Sequence, residues 1–202
     1  LTLIKSPLEN VLSSKSVSDE IRDDLEIMDL NTNRLLDLVN QLLDFRKTET
    51  QGFQLNFVEC DVSDILQKTC KRFRLSARQK ELEFVIDSPE TVYASVDKEG
   101  LTKIISNLLS NAIKFSPCGG TIYIRMMPEG EKIRFSIENE GPQISEYSMK
   151  HIFDKFYQGD SSHKQEGNGL GLALVKQILN LCMGTVSVEN IPGSGCRFTV
   201  IL

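Results

Sequence analysis

Between Asp97 and Phe115 the apolar residues Leu101, Ile104, Ile105, Leu108, Leu109, Ala112 and Ile113 recur at i, i+3, i+4, i+7, i+8, i+11 and i+12, the period of a helix that buries one face. Beside that face run Asn107, Asn111 and Lys114; at roughly 100° per residue they fall within about 60° of one another. By spacing alone they describe a solvated stripe, and only features further along the chain give them chemistry. The first fifty residues are patterned differently. Leu1, Ile4, Leu8, Val11 and Leu12 make a short helical stripe with Pro7 in its first turns, where proline is tolerated, and Ser13 to Ser16 read as a turn. From Asp19 a second helix carries Ile21, Leu25, Met28, Thr32, Leu35, Val39 and Leu42, an alternating four-three spacing with one polar layer at Thr32. Leu36, Leu43 and Phe45 widen the stripe beyond a two-helix seam, which predicts a four-helix bundle made by two copies; packing onto the rest of its own chain is the alternative.

After a charged run at Arg46, Lys47 and Glu49, the residues Gln51, Gly52 and Phe53 mark a hinge. The organisation expected is therefore a helical hairpin over 1–50, a hinge over 51–59 and a second domain over 60–202. That domain opens with a helix over 61–79 that buries Val62, Ile65, Leu66, Thr69, Phe73 and Ala77 behind an Asp61 N-cap. Strands are predicted at 83–87, 91–96, 121–127, 132–138, 185–189 and 197–201, with Ile133, Phe135 and Ile137 against Arg134, Ser136 and Glu138 giving the cleanest period of two. Helices near 98–115 and 170–182 interrupt them. The fold class expected is α+β: a two-layer α/β sandwich with a mixed, mostly antiparallel sheet and helices on one face, preceded by an antiparallel helical hairpin.

Composition narrows the partners. A net charge of -5 and a pI near 5.2 argue against a nucleic-acid surface. The one basic cluster, Lys71, Arg72, Arg74, Arg78 and Lys80, lies on the polar side of the 61–79 helix, where a solvated face is expected. Five cysteines and two histidines without a C-x-x-C pair indicate neither a disulfide framework nor a zinc site, and fit a reducing compartment. No run reaches the ~18 to 20 apolar residues of a membrane span, so no direct membrane contact is expected of this stretch. The chain opens without Met and in mid-pattern, as an excised fragment would.

Three later features converge on the Asn-rich helix. Gly167-Asn168-Gly169-Leu170-Gly171 precedes an apolar helix, placing freed backbone N–H groups and a helix N-terminus where an anion, usually phosphate, would sit. Asn139-Glu140-Gly141-Pro142-Gln143-Ile144 closes a strand with a polar side chain and a tight turn, suited to reading a base edge. Between the two, Ile152, Phe153, Phe156 and Tyr157 lead into an irregular polar segment over 158–168, the composition of a lid.

In this order, Asn107-Leu108-Leu109-Ser110-Asn111-Ala112-Ile113-Lys114-Phe115, Asn139-x-Gly141, Ile152-Phe153-Asp154-Lys155-Phe156-Tyr157 and Gly167-x-Gly169-Leu170-Gly171-Leu172 resemble the four boxes of the sensor histidine kinase ATP-binding domain, of the gyrase, heat-shock chaperone, histidine kinase and MutL superfamily. Gly193-Ser194-Gly195-Cys196-Arg197-Phe198 matches that family's closing pattern, and Leu1 to Ile4 with Asn40 to Lys47 resemble its dimerisation hairpin, most closely that of hybrid two-component sensors. The resemblance implies ATP and Mg²⁺ as ligands. It implies Asn111 as the metal ligand through its side-chain oxygen, which suits a hard cation, and Asn107, Lys114 and Lys155 in catalysis, the lysines reaching phosphate. It further implies nucleotide contacts from Asn107, Asn111, Lys114, Phe115, Asn139, Gly141, Ile144, Phe156, Gly167, Gly169, Leu170, Gly171 and Thr199. As partners it implies a second copy through the hairpin and a response-regulator receiver domain, in a cytoplasmic setting with the parent protein anchored in the bacterial inner membrane.

The chain departs from the pattern where Asn139 stands for the usual Asp that reads the adenine amino group and where Gln143 stands for a second glycine. A neutral acceptor in place of a charged one costs about tenfold in affinity, although an amide can both accept from and donate to adenine; weakened rather than lost binding is expected. The family's phosphoacceptor His, expected about six residues before Leu1, is absent, and neither His151 nor His163 has its context. Three functions are compatible: an autokinase core passing the γ-phosphoryl of ATP to a histidine and thence to a receiver aspartate, a degenerate ATP-binding signalling module without chemistry, and an ATP hydrolase. Related hydrolases place Glu one turn before the metal-binding Asn; here that residue is Asn107, which cannot accept a proton at neutral pH, so kinase is expected over hydrolase.

Overall fold

The computed structural model describes residues 2–12, 18–49, 55–159 and 168–202, which form two compact units, Leu1–Lys47 and Thr48–Leu202. In the first, helix α1 (Thr2–Leu12) and helix α2 (Asp19–Glu49) make the predicted hairpin. Lys5 Nζ donates to Asn33 Oδ1 at 2.7 Å and Arg22 Nη1 to the Leu12 carbonyl at 2.9 Å; residue pairs that converge in this way mark an antiparallel pair, with Arg22 satisfying a carbonyl left over at the end of α1. Pro7 lies inside α1 rather than in its first turn. Leu8 and Thr32 are buried, whereas Ile21, Met28, Leu35, Val39, Leu42 and Leu43 of the predicted seam are exposed on α2.

The second unit is built on a five-stranded sheet of β2 (Glu83–Asp87), β4 (Thr121–Glu129), β5 (Lys132–Glu140), β7 (Gly195–Ile201) and β6 (Thr185–Ile191), in the order β2-β4-β5-β7-β6. Only β2 and β4 pair in parallel; the other three pairs are antiparallel. Two further strands, β1 (Phe57–Asp61) and β3 (Tyr93–Asp97), form a separate antiparallel ribbon. The patterning placed β3 in the main sheet and did not anticipate β1, whose Phe57-Val58-Glu59 falls in the stretch expected as hinge, where residues 51–54 lie outside the described ones.

Cross-strand rows explain why the helices cover one face. Met126, Phe135 and Val200 stand opposite one another, as do Ile124, Ile137 and Phe198, and then Ile122, Asn139 and Cys196. All are buried. With period two they share a face, and onto it pack α4 (Lys98–Phe115) through the predicted Leu101 to Ile113 stripe and α6 (Gly171–Leu181) through Leu174, Val175, Ile178 and Leu179. Helix α3 (Val62–Gln79) completes the layer, and α5 (Glu146–His151) is a single short helix that the patterning missed. The opposite face is polar: Arg197 donates from Nη2 and Nε to the buried Glu138 at 2.6 and 3.0 Å and from Nη1 to Glu189 at 3.1 Å.

Candidate functional site

Helix α4 is fixed at both ends. At its start Asp97 Oδ1 accepts the Gly100 N–H as an N-cap, while Oδ2 accepts the Asn56 N–H at 2.8 Å. Leu108 and Leu109, fully buried against the sheet, set its rotation, so that Asn107, Asn111 and Lys114 line one half-buried edge. Asn107 Nδ2 turns back to the Lys103 carbonyl at 2.8 Å. Its Oδ1 lies against the first residue of α6: a Cβ at Gly171 would come within 2.6 Å of that oxygen. A side chain at Gly171 would have to push the Asn107 amide aside, and the close approach joins the amino end of α6 to the Asn edge of α4.

That amino end differs from those of α3, α4 and α5. Helices α3, α4 and α5 are capped by Asp61, Asp97 and Ser145, but the N-cap of α6 is Leu170, which is buried and offers no side-chain hydrogen bond. No side chain of the N-cap residue therefore occupies the positive end of the α6 dipole. Just before it, Gly169 adopts φ +65° and its carbonyl accepts the Phe156 N–H at 2.9 Å. Phe156 itself has φ 60° and is exposed, as is Lys155. The two chain segments cross here backbone to backbone, closing the neck of the segment predicted as a lid. Gly167 lies outside the described residues.

The other end of the α4 edge meets the β5 turn. Phe115 ends the helix half exposed, with Lys114 Nζ 4.6 Å from its ring centroid. Gly141, at φ +151°, packs so closely that a Cβ would stand 2.6 Å from the Phe115 carbonyl oxygen. Asn139 continues the apolar row of β5 beneath the helices and is only 3% exposed. Such a buried amide needs partners: its Nδ2 donates to the Glu140 carbonyl at 3.0 Å, and its Oδ1 accepts from the Cys196 thiol at 3.4 Å. Burial, reinforced by the Glu138 charge, pushes that thiol up to about 11, so it stays protonated and able to donate. Ile144 is clamped in both directions by the Asn190 amide, at 2.9 and 2.8 Å, and packs against the core.

Asn107, Gly171 and Leu170 thus meet at one end, Phe115, Gly141 and Asn139 meet at the other, and Asn111 and Lys114 lie between. Thr199 does not join them. It pairs with Ser136 and Ser187 and shares the polar sheet face with Arg197, on the far side of the sheet from the helices. The β7 residue that reaches Asn139 is Cys196, three positions earlier and hence of opposite parity; the alternation of Cys196, Phe198 and Val200 against Arg197, Thr199 and Ile201 carried that signal. Lys80 also departs from the solvated basic face expected of it, since its Nζ donates to the carbonyls of Ile113, Lys114 and Ser116.

The donor set bears on a metal. Among the described residues no cluster of three or more His, Cys, Asp or Glu side chains could hold an ion. A divalent cation here would take one amide oxygen from α4 and most of its shell from phosphate and water, the habit of Mg²⁺. Nor, among the described residues, is any helix long and apolar enough to cross a membrane.

Residues 96–202 match the family described as histidine kinase-, DNA gyrase B-, and HSP90-like ATPase. The chain is 34% identical over 210 residues to the hybrid signal transduction histidine kinase D of Dictyostelium discoideum, covering all of this chain and 14% of that protein. Among solved structures it resembles full-length ShkA in complex with AMPPNP, with a TM-score of 0.79 at 25% identity over 99% of this chain and 43% of that one. It also resembles the Acinetobacter baumannii histidine kinase AdeS, with a TM-score of 0.71 at 26% identity over 100% of this chain and 93% of that one. Strands β4 to β7 of the sheet, the asparagine edge of α4 and the uncapped glycine entry to α6 fall within the matched residues, and the chain belongs to the histidine kinase-, DNA gyrase B- and HSP90-like ATPases, carrying the ATP-binding catalytic domain of a sensor histidine kinase.

Proposed function

We propose that this chain binds Mg-ATP along the α4 edge, with the phosphates at the amino end of α6 and adenine toward Phe115, Asn139 and Gly141, and that the whole protein passes the γ-phosphoryl to a histidine and then to a receiver aspartate. The observation that carries the reading is the start of α6, without a side-chain cap and close against Asn107 across Gly171: a helix dipole end beside two amides and a lysine suits a polyanion. Asn111 would hold Mg²⁺, which when bound neutralises phosphate charge. Lys114, and Lys155 from the neck, add positive charge for the phosphates. Asn107 has no basic oxygen with which to activate water, and its amide is already committed to Lys103 O and the α6 entry, which favours transfer to a nucleophile over hydrolysis.

The exposed apolar seam of α2 supports self-association through the hairpin, and a receiver domain is the acceptor that this chemistry requires. Sedimentation over a concentration series should show Leu35→Glu shifting the chain toward monomer, because it sets a charge in the seam; equal association of parent and variant would locate the interface elsewhere.

Titration with Mg-ATP and with ATP in excess chelator tests the binding step. Saturable, Mg-dependent binding is expected; none would remove the nucleotide site, whereas binding without transfer by the full-length protein would favour the degenerate module. For transfer, the full-length protein should take γ-phosphate onto histidine as an acid-labile, alkali-stable label; an acid-stable label would remove the histidine kinase reading. Thr199→Ala should leave nucleotide affinity within about twofold, since Thr199 is half-buried on the sheet face away from the site and a change there away from the ligand is nearly neutral. A larger loss would return Thr199 to the site.

A further inference from the structure

The ammonium of Lys80, the residue just past α3, makes three hydrogen bonds, at 3.0, 2.9 and 3.1 Å, to the carbonyls of Ile113, Lys114 and Ser116. The last carbonyls of a helix have no intrahelical donors, and a cation there also meets the negative end of the dipole. Lys80 is fixed in turn by its own backbone: its N–H donates to Ala77 O at 3.1 Å and its carbonyl accepts the Gly119 N–H at 3.0 Å. One residue thereby ties together the end of α3, the end of α4 and the turn over 116–120. The last turn of α4 that it grips carries Lys114 and Phe115, and Gly141 closes on the Phe115 carbonyl from another direction at a spacing that would not admit a methyl group.

We infer that Lys80 is a positioning residue of the nucleotide site, holding the last turn of α4 so that Lys114 and Phe115 meet the ligand; this rests on the Mg-ATP reading above. Lys80 touches no ligand itself. Its reach, rather than its charge alone, matters: the long flexible stem brings one compact ammonium with three donors to three carbonyls, a match that a planar guanidinium makes less well.

The test compares parent, Lys80→Met, Lys80→Arg and Cys70→Ala, at a temperature well below melting. Cys70 is a buried core residue of the same helix, so its truncation destabilises without touching the α4 end and controls for stability alone. Lys80→Met is expected to weaken Mg-ATP binding about tenfold and to speed amide exchange at Phe115 and Ser116 in the unliganded protein. Lys80→Arg should fall between Met and parent, and Cys70→Ala should keep parental affinity despite a lowered Tm. Parental affinity in Lys80→Met, or an equal loss in Cys70→Ala, overturns the inference while leaving the nucleotide site standing. A parent that binds no Mg-ATP at all overturns both.

Discussion

Asn111→Ala is expected to weaken Mg-ATP binding by about a hundredfold while the unliganded protein melts within a degree or so of the parent. Removing a neutral amide that supports a charged ligand forfeits roughly 1.5 to 3 kcal/mol, and every 1.4 kcal/mol is tenfold; the metal that Asn111 would bring adds to the loss by leaving phosphate charge uncompensated. Stability is spared because packing on α4 is carried by its neighbours. Leu108, Leu109 and Ala112 are buried, whereas Asn111 is half-buried on the helix edge, and surface changes of this kind stay within about 0.5 kcal/mol. Titrations with and without Mg²⁺ give the decisive comparison. The variant should lose most of the difference that Mg²⁺ makes, and an unchanged Mg²⁺ dependence would remove Asn111 from the metal.

Gly169→Ala is expected to lower stability by about 3 kcal/mol and to cost most of the nucleotide affinity as well. The new methyl group would stand 2.6 Å from the Phe156 carbonyl carbon and 2.7 Å from Tyr157 O, both backbone atoms that cannot rotate aside. The left-handed conformation adds about 1 to 2 kcal/mol for any residue with a Cβ. Neither strand of the crossing can yield cheaply, because Phe156 is itself held at φ 60°. Gly119→Ala is the matched control: it has φ +76° but nothing within 4 Å of the added atom, so it carries the conformational cost alone. Thermal melts of the two should separate by several degrees at ~2 to 4 °C per kcal/mol for a unit of this size. Equal melting temperatures would mean that the neck gives way rather than resists.

What the sequence made legible was whatever declares itself over many residues. The α4 stripe of seven apolar positions predicted helix, buried face and polar edge together, and the Asp61 N-cap was readable from one residue before a helical run. Strand β1 was not, because Phe57 to Asp61 is five residues long, half exposed, and among the described residues paired with β3 alone, so it is too short and too polar to stand out from the hinge before it. Helix α5 is one and a half turns long, too short for a period. Thr199 was misplaced for a different reason: its box was recognised as a string, and a string does not carry the parity that sends Cys196 to Asn139 and Thr199 to the far face. Lys80 was hidden because its partners are carbonyls, which every residue has and no sequence displays.

The backbone crossing of Phe156 with Gly169 also bears on how this protein can vary. By fixing the two ends of the intervening segment at hydrogen-bond distance, it makes that segment a closed loop, and the entropy of closing a loop rises only logarithmically with length, about 0.6 kcal/mol for each doubling. Adding or removing several residues between 158 and 168 therefore costs far less than one methyl group at Gly169. Descendants of this chain can change the length of the intervening sequence at little cost in closure entropy, provided the two residues at its base are left alone.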